Sequence, residues 1–269
     1  MSTTLQAGPL CTRESLAHEL RGMGVTPGET LLVHSSLSSL GWVCGGAVTV
    51  VRALLDVLGR DGTLVVPTHS GDNSDPAEWV NPPVPESWWA DIRRSMPPYD
   101  ASLTPCFGVG VVPEAVRGWP GAVRSAHPQT SFAAVGPCAT VITDGHAPDC
   151  RLGERSPLAR LEESGARVLL LGTGYGTCTA FHLAEYRVPS PTADNSFAVM
   201  TSGGRRWTTV RDVAISEDRF DELGAAFERE HPVVRSSVGA AEARLFPLAD
   251  AVAHATDWLA GHRPWPAKG

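Results

Sequence analysis

The chain has 269 residues, 42% of them hydrophobic and 19% charged, with a net charge of -7, which is enough apolar material for a large core, as one α/β domain or a core with an insertion. The acidic balance argues against nucleic acid as a partner and suits a cationic small molecule. No apolar run follows a basic start between Met1 and His18, and no later run could span a bilayer, so a cytoplasmic protein with no membrane partner is expected.

In chain order, Thr12 to Met23 reads as an amphipathic helix, with Thr12 at its N-cap and Leu16, Leu20 and Met23 on one side. A turn at Val25–Glu29 leads into a buried strand, Thr30 to Val33, which releases His34, Ser35 and Ser36. Gly45-Gly46 opens a helix whose apolar face is Val50, Leu54, Leu55 and Leu58, closed by Gly59. A second strand, Thr63 to Val66, ends at Pro67-Thr68-His69-Ser70-Gly71-Asp72. Asp72 to Asp100 holds six prolines and three tryptophans (Trp79, Trp88, Trp89), the composition of a long functional loop. Those tryptophans either stack on a ligand or pin the loop to the body. Further helices are expected over Pro105–Arg117 and Glu154–Ser164, and Arg124 to Gly136 reads as a loop leading into a strand.

Val168 to Leu171 is a third buried strand, stopped by Gly172-Thr173-Gly174-Tyr175-Gly176. Thr177 or Thr179 then caps a short helix that carries His182 and Glu185 on one face, three residues apart. Such a pair is either an ordinary surface contact or a carboxylate-oriented general base. Three strand ends thus deliver His34, Asp72 and the His182 segment to one side of a parallel sheet if the strands are neighbours, and ligands sit beyond such ends. Later, Phe197–Met200 and Arg206–Val213 alternate like antiparallel strands about Ser202-Gly203-Gly204. An acidic helix start, Asp218 to Glu228, a short strand-like piece and a helix from Pro247 to Leu259 follow, and the Arg/Pro/Trp tail after Gly261 reads as frayed.

Several motifs fail on spacing. The glycines at 172, 174 and 176 do not fit G-x-G-x-x-G, and neither G-x-x-x-x-G-K-S/T nor G-x-S-x-G occurs. Six cysteines without a C-x-x-C argue for free thiols. His34, His69, His127 and His182 with Asp72 and Glu185 could assemble a zinc amidohydrolase site, although no H-x-x-x-H or H-E-x-x-H pair supports it. Gly41-Trp42-Val43-Cys44-Gly45-Gly46 before a helix suits an anion cradle as well as it suits a plain turn.

Together these segments resemble a known family. His34-Ser35-Ser36-Leu37-Ser38-Ser39-Leu40-Gly41-Trp42-Val43-Cys44-Gly45-Gly46-Ala47 looks like the hallmark segment of the aminoglycoside 3-N-acetyltransferases (antibiotic N-acetyltransferases). Arg124-Ser125-x-His127-Pro128-x-x-Ser131-Phe132-Ala133-Ala134-x-Gly136 and His182-Leu183-Ala184-Glu185-Tyr186-Arg187 are similar to its second and third signatures. The resemblance, from about Gly24 to Gly239, implies an α/β fold with a central, largely parallel sheet flanked by helices and an antiparallel C-terminal part, unlike the common small acetyltransferase fold. It implies a single domain over residues 1–269, with a substrate loop at about 68–104 and an antiparallel, acidic portion at about 196–246.

The same resemblance implies an acetyl-CoA-dependent acyltransferase, with acetyl-CoA as co-substrate and no metal, acting on the 3-amino group of the deoxystreptamine ring and conferring antibiotic resistance. His182 and Glu185 map onto the catalytic pair, with His34 second in rank. His34, Ser35, Ser36, Leu37, Val43, Cys44, Gly45, Gly46, Ser102 and Thr104 map onto the CoA site, and Asp72, Trp79, Asp218, Asp221 and Glu222 onto the region meeting the antibiotic. The expected partner is an aminoglycoside or another cationic amine, and the expected state a monomer or homodimer. Rival readings are an acetyltransferase for a different amine of antibiotic or nucleoside metabolism, and a silent drug- or CoA-binding protein.

Overall fold

Runs of four or five apolar residues are buried on both faces only where helices cover both sides of a sheet. In the computed structural model, which describes residues 8–263, the chain forms β1 (Leu10–Cys11), α1 (Arg13–Gly22), β2 (Thr30–Ser35), β3 (Trp42–Val43), α2 (Gly46–Leu58), β4 (Thr63–Pro67) and α3 (Trp89–Ser95). There follow α4 (Val111–Arg117), β5 (Val123–Arg124), β6 (Phe132–Val135), α5 (Ala139–Thr143), α6 (Pro157–Glu163), β7 (Arg167–Leu171) and α7 (Ala180–Glu185). The last third holds β8 (Thr192–Thr201), β9 (Gly204–Val213), α8 (Phe220–Glu230), β10 (Val234–Val238), β11 (Ala241–Pro247) and α9 (Leu248–His262). The first residues of the Met1–His18 stretch and the tail from Pro264 lie outside the described residues. No helix among the described residues is long and apolar enough to cross a membrane.

Seven strands make one sheet in the order β10-β11-β7-β2-β4-β6-β5, and β8 with β9 forms a separate hairpin. β2 lies between β4 and β7 and runs parallel to both. β6 and β11 run against that direction, so five of the seven strands point the same way. Alternation along the central strands sorts the core: Leu31, Val33, Leu64, Val66, Leu169 and Leu171 pack under α1, α2 and α4. Leu32, Val65, Val168 and Leu170 face the opposite layer, with Phe181, Phe227 and Val252. Each such fully buried side chain contributes about 1.5–3 kcal/mol.

The local expectations hold where a residue acts on its neighbours. Thr12 caps α1, accepting from Ser15 N while the Ser15 side chain accepts from Thr12 N. Gly45 and Gly46 both take positive φ (+82° and +59°) to swing the chain into α2. Corrections arise where tertiary partners intervene. Neither Thr177 nor Thr179 caps α7 with its side chain, because Thr177 donates to Gly174 O and Thr179 pairs with His34. The helix expected from Pro105 starts only at Val111, since Gly108 and Gly110 before it hold positive φ. That expected at Glu154 starts at Pro157, capped by Ser156. The long loop contains α3, whose Arg93 grips Asp75 at 2.6 Å.

Candidate active site

The carboxyl ends of β2, β4 and β7 are adjacent, and the chain leaving them builds a cleft of about 810 Å³. His34 and Ser35 come from the end of β2, Pro67 and His69 from beyond β4, and Thr173, Gly176 and Thr177 from beyond β7. Gly46 brings the first turn of α2 into the lining, where free N–H groups and the positive end of a thirteen-residue helix favour an anion. His182 closes the inner wall and Glu217 supplies a carboxylate.

His182 and Glu185 form the pair expected from their spacing, and it is not a surface contact. His182 Nδ1 lies 2.5 Å from Glu185 Oε2; the histidine is 8% exposed and the glutamate wholly buried. The other oxygen, Oε1, accepts from Ser216 N at 3.0 Å and from the Arg263 guanidinium. A buried carboxylate is tolerated only when paired and hydrogen-bonded, and this one is both. With Nδ1 engaged, Nε2 is the nitrogen left for chemistry in the cleft.

His34 and His69 flank this centre but are tuned differently. Burial, reinforced by the neighbouring His182, lowers both to about 3. Such imidazoles are neutral hydrogen-bonding groups at physiological pH and weak bases beside the task. His34 Nε2 meets Thr179 Oγ1 at 3.3 Å. Among the described residues, His69 Nε2, Ser35 Oγ and Thr173 Oγ1 are buried without protein partners, and all three residues line the cleft, so this wall offers polar atoms to a bound molecule.

Outside the cleft, His127 is held well below its ordinary value and His146 at about 4, burial being the main cause in each. His127 Nδ1 accepts from the backbone N–H groups of Gln129 and Thr130. These four histidines stay neutral in the fold and take up protons on unfolding, where histidine titrates near roughly 6.5. Between the depressed folded values and that point the unfolded state holds more protons, so acid favours unfolding. The melting temperature is therefore expected to be level above about pH 7 and to fall steadily as pH drops below roughly 6.5; circular-dichroism melts from pH 8 to 5 test this, and a flat profile would contradict it.

The remaining sequence-derived residues divide clearly. Ser36, Leu37, Val43 and Gly46 line the cleft with His34 and Ser35; Cys44, Gly45, Ser102 and Thr104 do not. Ser102 Oγ turns to Asp100, and Thr104 Oγ1 accepts from Asp100 N. None of Asp72, Trp79, Asp218, Asp221 and Glu222 is in the lining. Asp72 and Asp218 are exposed, Trp79 Nε1 donates to Ser74, Asp221 accepts from Gly176 N at 2.9 Å, and Glu222 pairs with Arg219. Trp88 and Trp89 are also outside it. The six-residue zinc constellation does not assemble among the described residues, where these side chains do not bring three donor atoms within 4.8 Å of one another. Sequence reasoning offered His69 only for the zinc reading and did not place Gly108–Val111, Thr173, Thr177, Thr179 or Glu217 in a binding site; the one signal available was position just past a strand or motif.

The family model for aminoglycoside 3-N-acetyltransferase matches residues 32–260. The chain belongs to the aminoglycoside 3-N-acetyltransferase family. It is 45% identical over 250 residues, 92% of each chain, to the SPbeta prophage-derived aminoglycoside N(3')-acetyltransferase-like protein YokD of Bacillus subtilis. The crystal structure of that protein superposes with a TM-score of 0.92 over 97% of this chain and 96% of the other. Aminoglycoside N(3)-acetyltransferase VIII of Streptomyces fradiae is 39% identical, covering 94% of this chain and 93% of the relative. A structure described as AAC-IIIb binary with CoASH is 30% identical with a TM-score of 0.83, over 97% of this chain and 100% of the other. Members of the aminoglycoside 3-N-acetyltransferase family are acyltransferases, and the chain is an enzyme of that class.

The family signatures acquire physical reasons here. Arg124 of the second signature bonds Thr68 O at 2.7 Å, Ser131 Oγ at 3.0 Å and Thr104 O, and its guanidinium covers the Tyr99 ring; it staples the long loop to the sheet. In the third signature, Tyr186 donates to Asp212 on β9, and Arg187 binds Glu154 and Glu162. A Cβ on Gly153 would lie 2.2 Å from the Tyr186 ring, so glycine is required where Tyr186 packs. These contacts hold the six-residue α7, too short to be stable alone, and with it His182.

Proposed function

We propose that this enzyme transfers acetyl from acetyl-CoA to the 3-amino group of the deoxystreptamine ring of an aminoglycoside, directly within a ternary complex, with His182 as general base. The observation that carries the reading is the buried Glu185 bound to His182 Nδ1 in the wall of the cleft. His182 Nε2 takes a proton from the bound amine, directly or through one water, and the nitrogen attacks the thioester carbonyl carbon. The C–S bond then breaks, CoA leaves as its thiolate, and the imidazolium returns the proton to that sulfur. The buried polar atoms of Ser35, His69 and Thr173 that have no protein partner among the described residues are suited to the oxygen that becomes negative in between.

The arm of the cleft lined by Ser36, Leu37, Trp42, Val43 and Gly46 fits the pantetheine and phosphates of CoA, with the start of α2 for the negative charge. The relative whose structure is described as binary with CoASH supports that co-substrate, and the relatives named for aminoglycosides support the acceptor. Glu217 faces the same space and suits an ammonium group. Neither thiol beside the motifs is placed to carry the acyl group: Cys178 is wholly buried, with burial raising it to about 12, and Cys44 is exposed and outside the lining. The reading is tested by thiol release from acetyl-CoA against gentamicin, kanamycin, neomycin and apramycin, with and without EDTA. EDTA-insensitive turnover is expected; silence with all four, while acetyl-CoA still protects the protein thermally, would move the acceptor to a different amine.

A further inference from the structure

Away from the cleft, the end of α8 and the middle of α9 bring Glu230, His231 and His254 together, with one ligand atom of each within 4.8 Å of the others. Their geometry is set by packing. The His231 ring stacks on Phe227 at 4.8 Å, and the His254 ring meets His231 edge to face at 5.1 Å and 82°. His231 N donates to Phe227 O at 2.9 Å, fixing the residue as the helix ends.

His254 is the telling member. Its side chain is 8% exposed; among the described residues Nε2 is buried without a partner, while Nδ1 faces Glu230 Oε2 at 3.6 Å, too long for a hydrogen bond. Nδ1 thus stands beside a carboxylate with no direct hydrogen bond to it, which leaves room for a partner held between the two groups. That partner faces an imidazole and a carboxylate, a donor set that suits zinc-class divalent ions. Bonds of roughly 2.1 Å in a tetrahedral array place ligands about 3.5 Å apart, so the His254–Glu230 spacing already fits. The separations that involve His231 are at most 4.8 Å, and closing them falls to the half-buried His231 ring and the carboxylate of Glu230, 64% exposed.

We propose that Glu230, His231 and His254 form a site for one Zn²⁺-class divalent cation, separate from the cleft, with water completing the coordination and the ion clipping the end of α8 to α9. None of the three residues lines the cleft, so the ion would raise stability through binding to the folded state and take no part in acetyl transfer.

The test uses the full-length protein freed of metal with EDTA and titrated with ZnCl₂ by calorimetry, followed by melts with and without the ion. One equivalent is expected to bind and raise the melting temperature. CoCl₂ should give d–d absorption without a thiolate charge-transfer band, which separates this site from the free cysteines. Glu230→Gln and His231→Gln are each expected to weaken binding by roughly 10- to 100-fold or more, with basal activity unchanged. His182→Gln should bind zinc as the parent does. Absence of saturable uptake of one equivalent, or uptake unaltered in the Glu230→Gln/His231→Gln double variant, would overturn the proposal. Both substituted side chains lie at the end of a helix rather than in the core, and circular dichroism checks the fold of each variant.

Discussion

His182→Ala is expected to lower kcat by about 10²–10⁴, the usual contribution of a positioned base, while leaving the protein folded. The side chain stands at the cleft wall, and its removal leaves Glu185 Oε1 with both remaining partners, Ser216 N and Arg263. The melting temperature should therefore fall only by the equivalent of about 1–3 kcal/mol, the cost of leaving one buried acceptor atom unpaired. Steady-state rates with saturating acetyl-CoA and aminoglycoside, beside thermal melts, give both numbers. A near-normal kcat would reduce the pair to a structural contact.

Glu185→Gln should strike rate and stability together, which distinguishes it from the histidine variant. Glutamine keeps the shape but removes the negative charge that faces both His182 and Arg263. Breaking a buried ion pair from one side costs about 3–5 kcal/mol, and Arg263, 22% exposed, places the expected loss near the lower end. The rate should also fall by roughly 10²–10⁴, because the imidazole loses the group that holds its tautomer and stabilises its charged form. Denaturant melts and kcat measured on one preparation test this. A variant with full stability and low rate would mean that Arg263 finds another anion; one with full rate would remove Glu185 from the chemistry.

The contrast between these two residues explains what the sequence made legible. His182 and Glu185 were readable because the contact is local, three residues along one helix face. The strand ends were readable because Thr30–Val33, Thr63–Val66 and Val168–Leu171 are apolar runs with glycine or polar residues after them. What supports Glu185 was not readable. Ser216 is 31 residues away and Arg263 is 78, and no periodicity links them. The acidic residues expected to meet substrate illustrate the opposite limit: charge is visible in a sequence, but its satisfaction is not. Asp221 is occupied by the backbone of Gly176 and Glu222 by Arg219, whereas Glu217 beside them faces the cleft. His69 carried no spacing signal of its own, yet the parallel pairing of β2 and β4 sets it near His34. The loop helix Trp89–Ser95 was hidden by its short length and by prolines on both sides.

The central claim is direct acetyl transfer to one amine by the His182 centre, and the most direct measurement is the position of the acetyl group in the product. Purified protein would be incubated with gentamicin and acetyl-CoA, and the modified antibiotic mapped by NMR. Acetylation at the 3-amino nitrogen, with one thiol released per acetyl group and the reaction lost in His182→Ala, is the result expected. Acetylation at another nitrogen, or unchanged product formation by His182→Ala, would contradict the account.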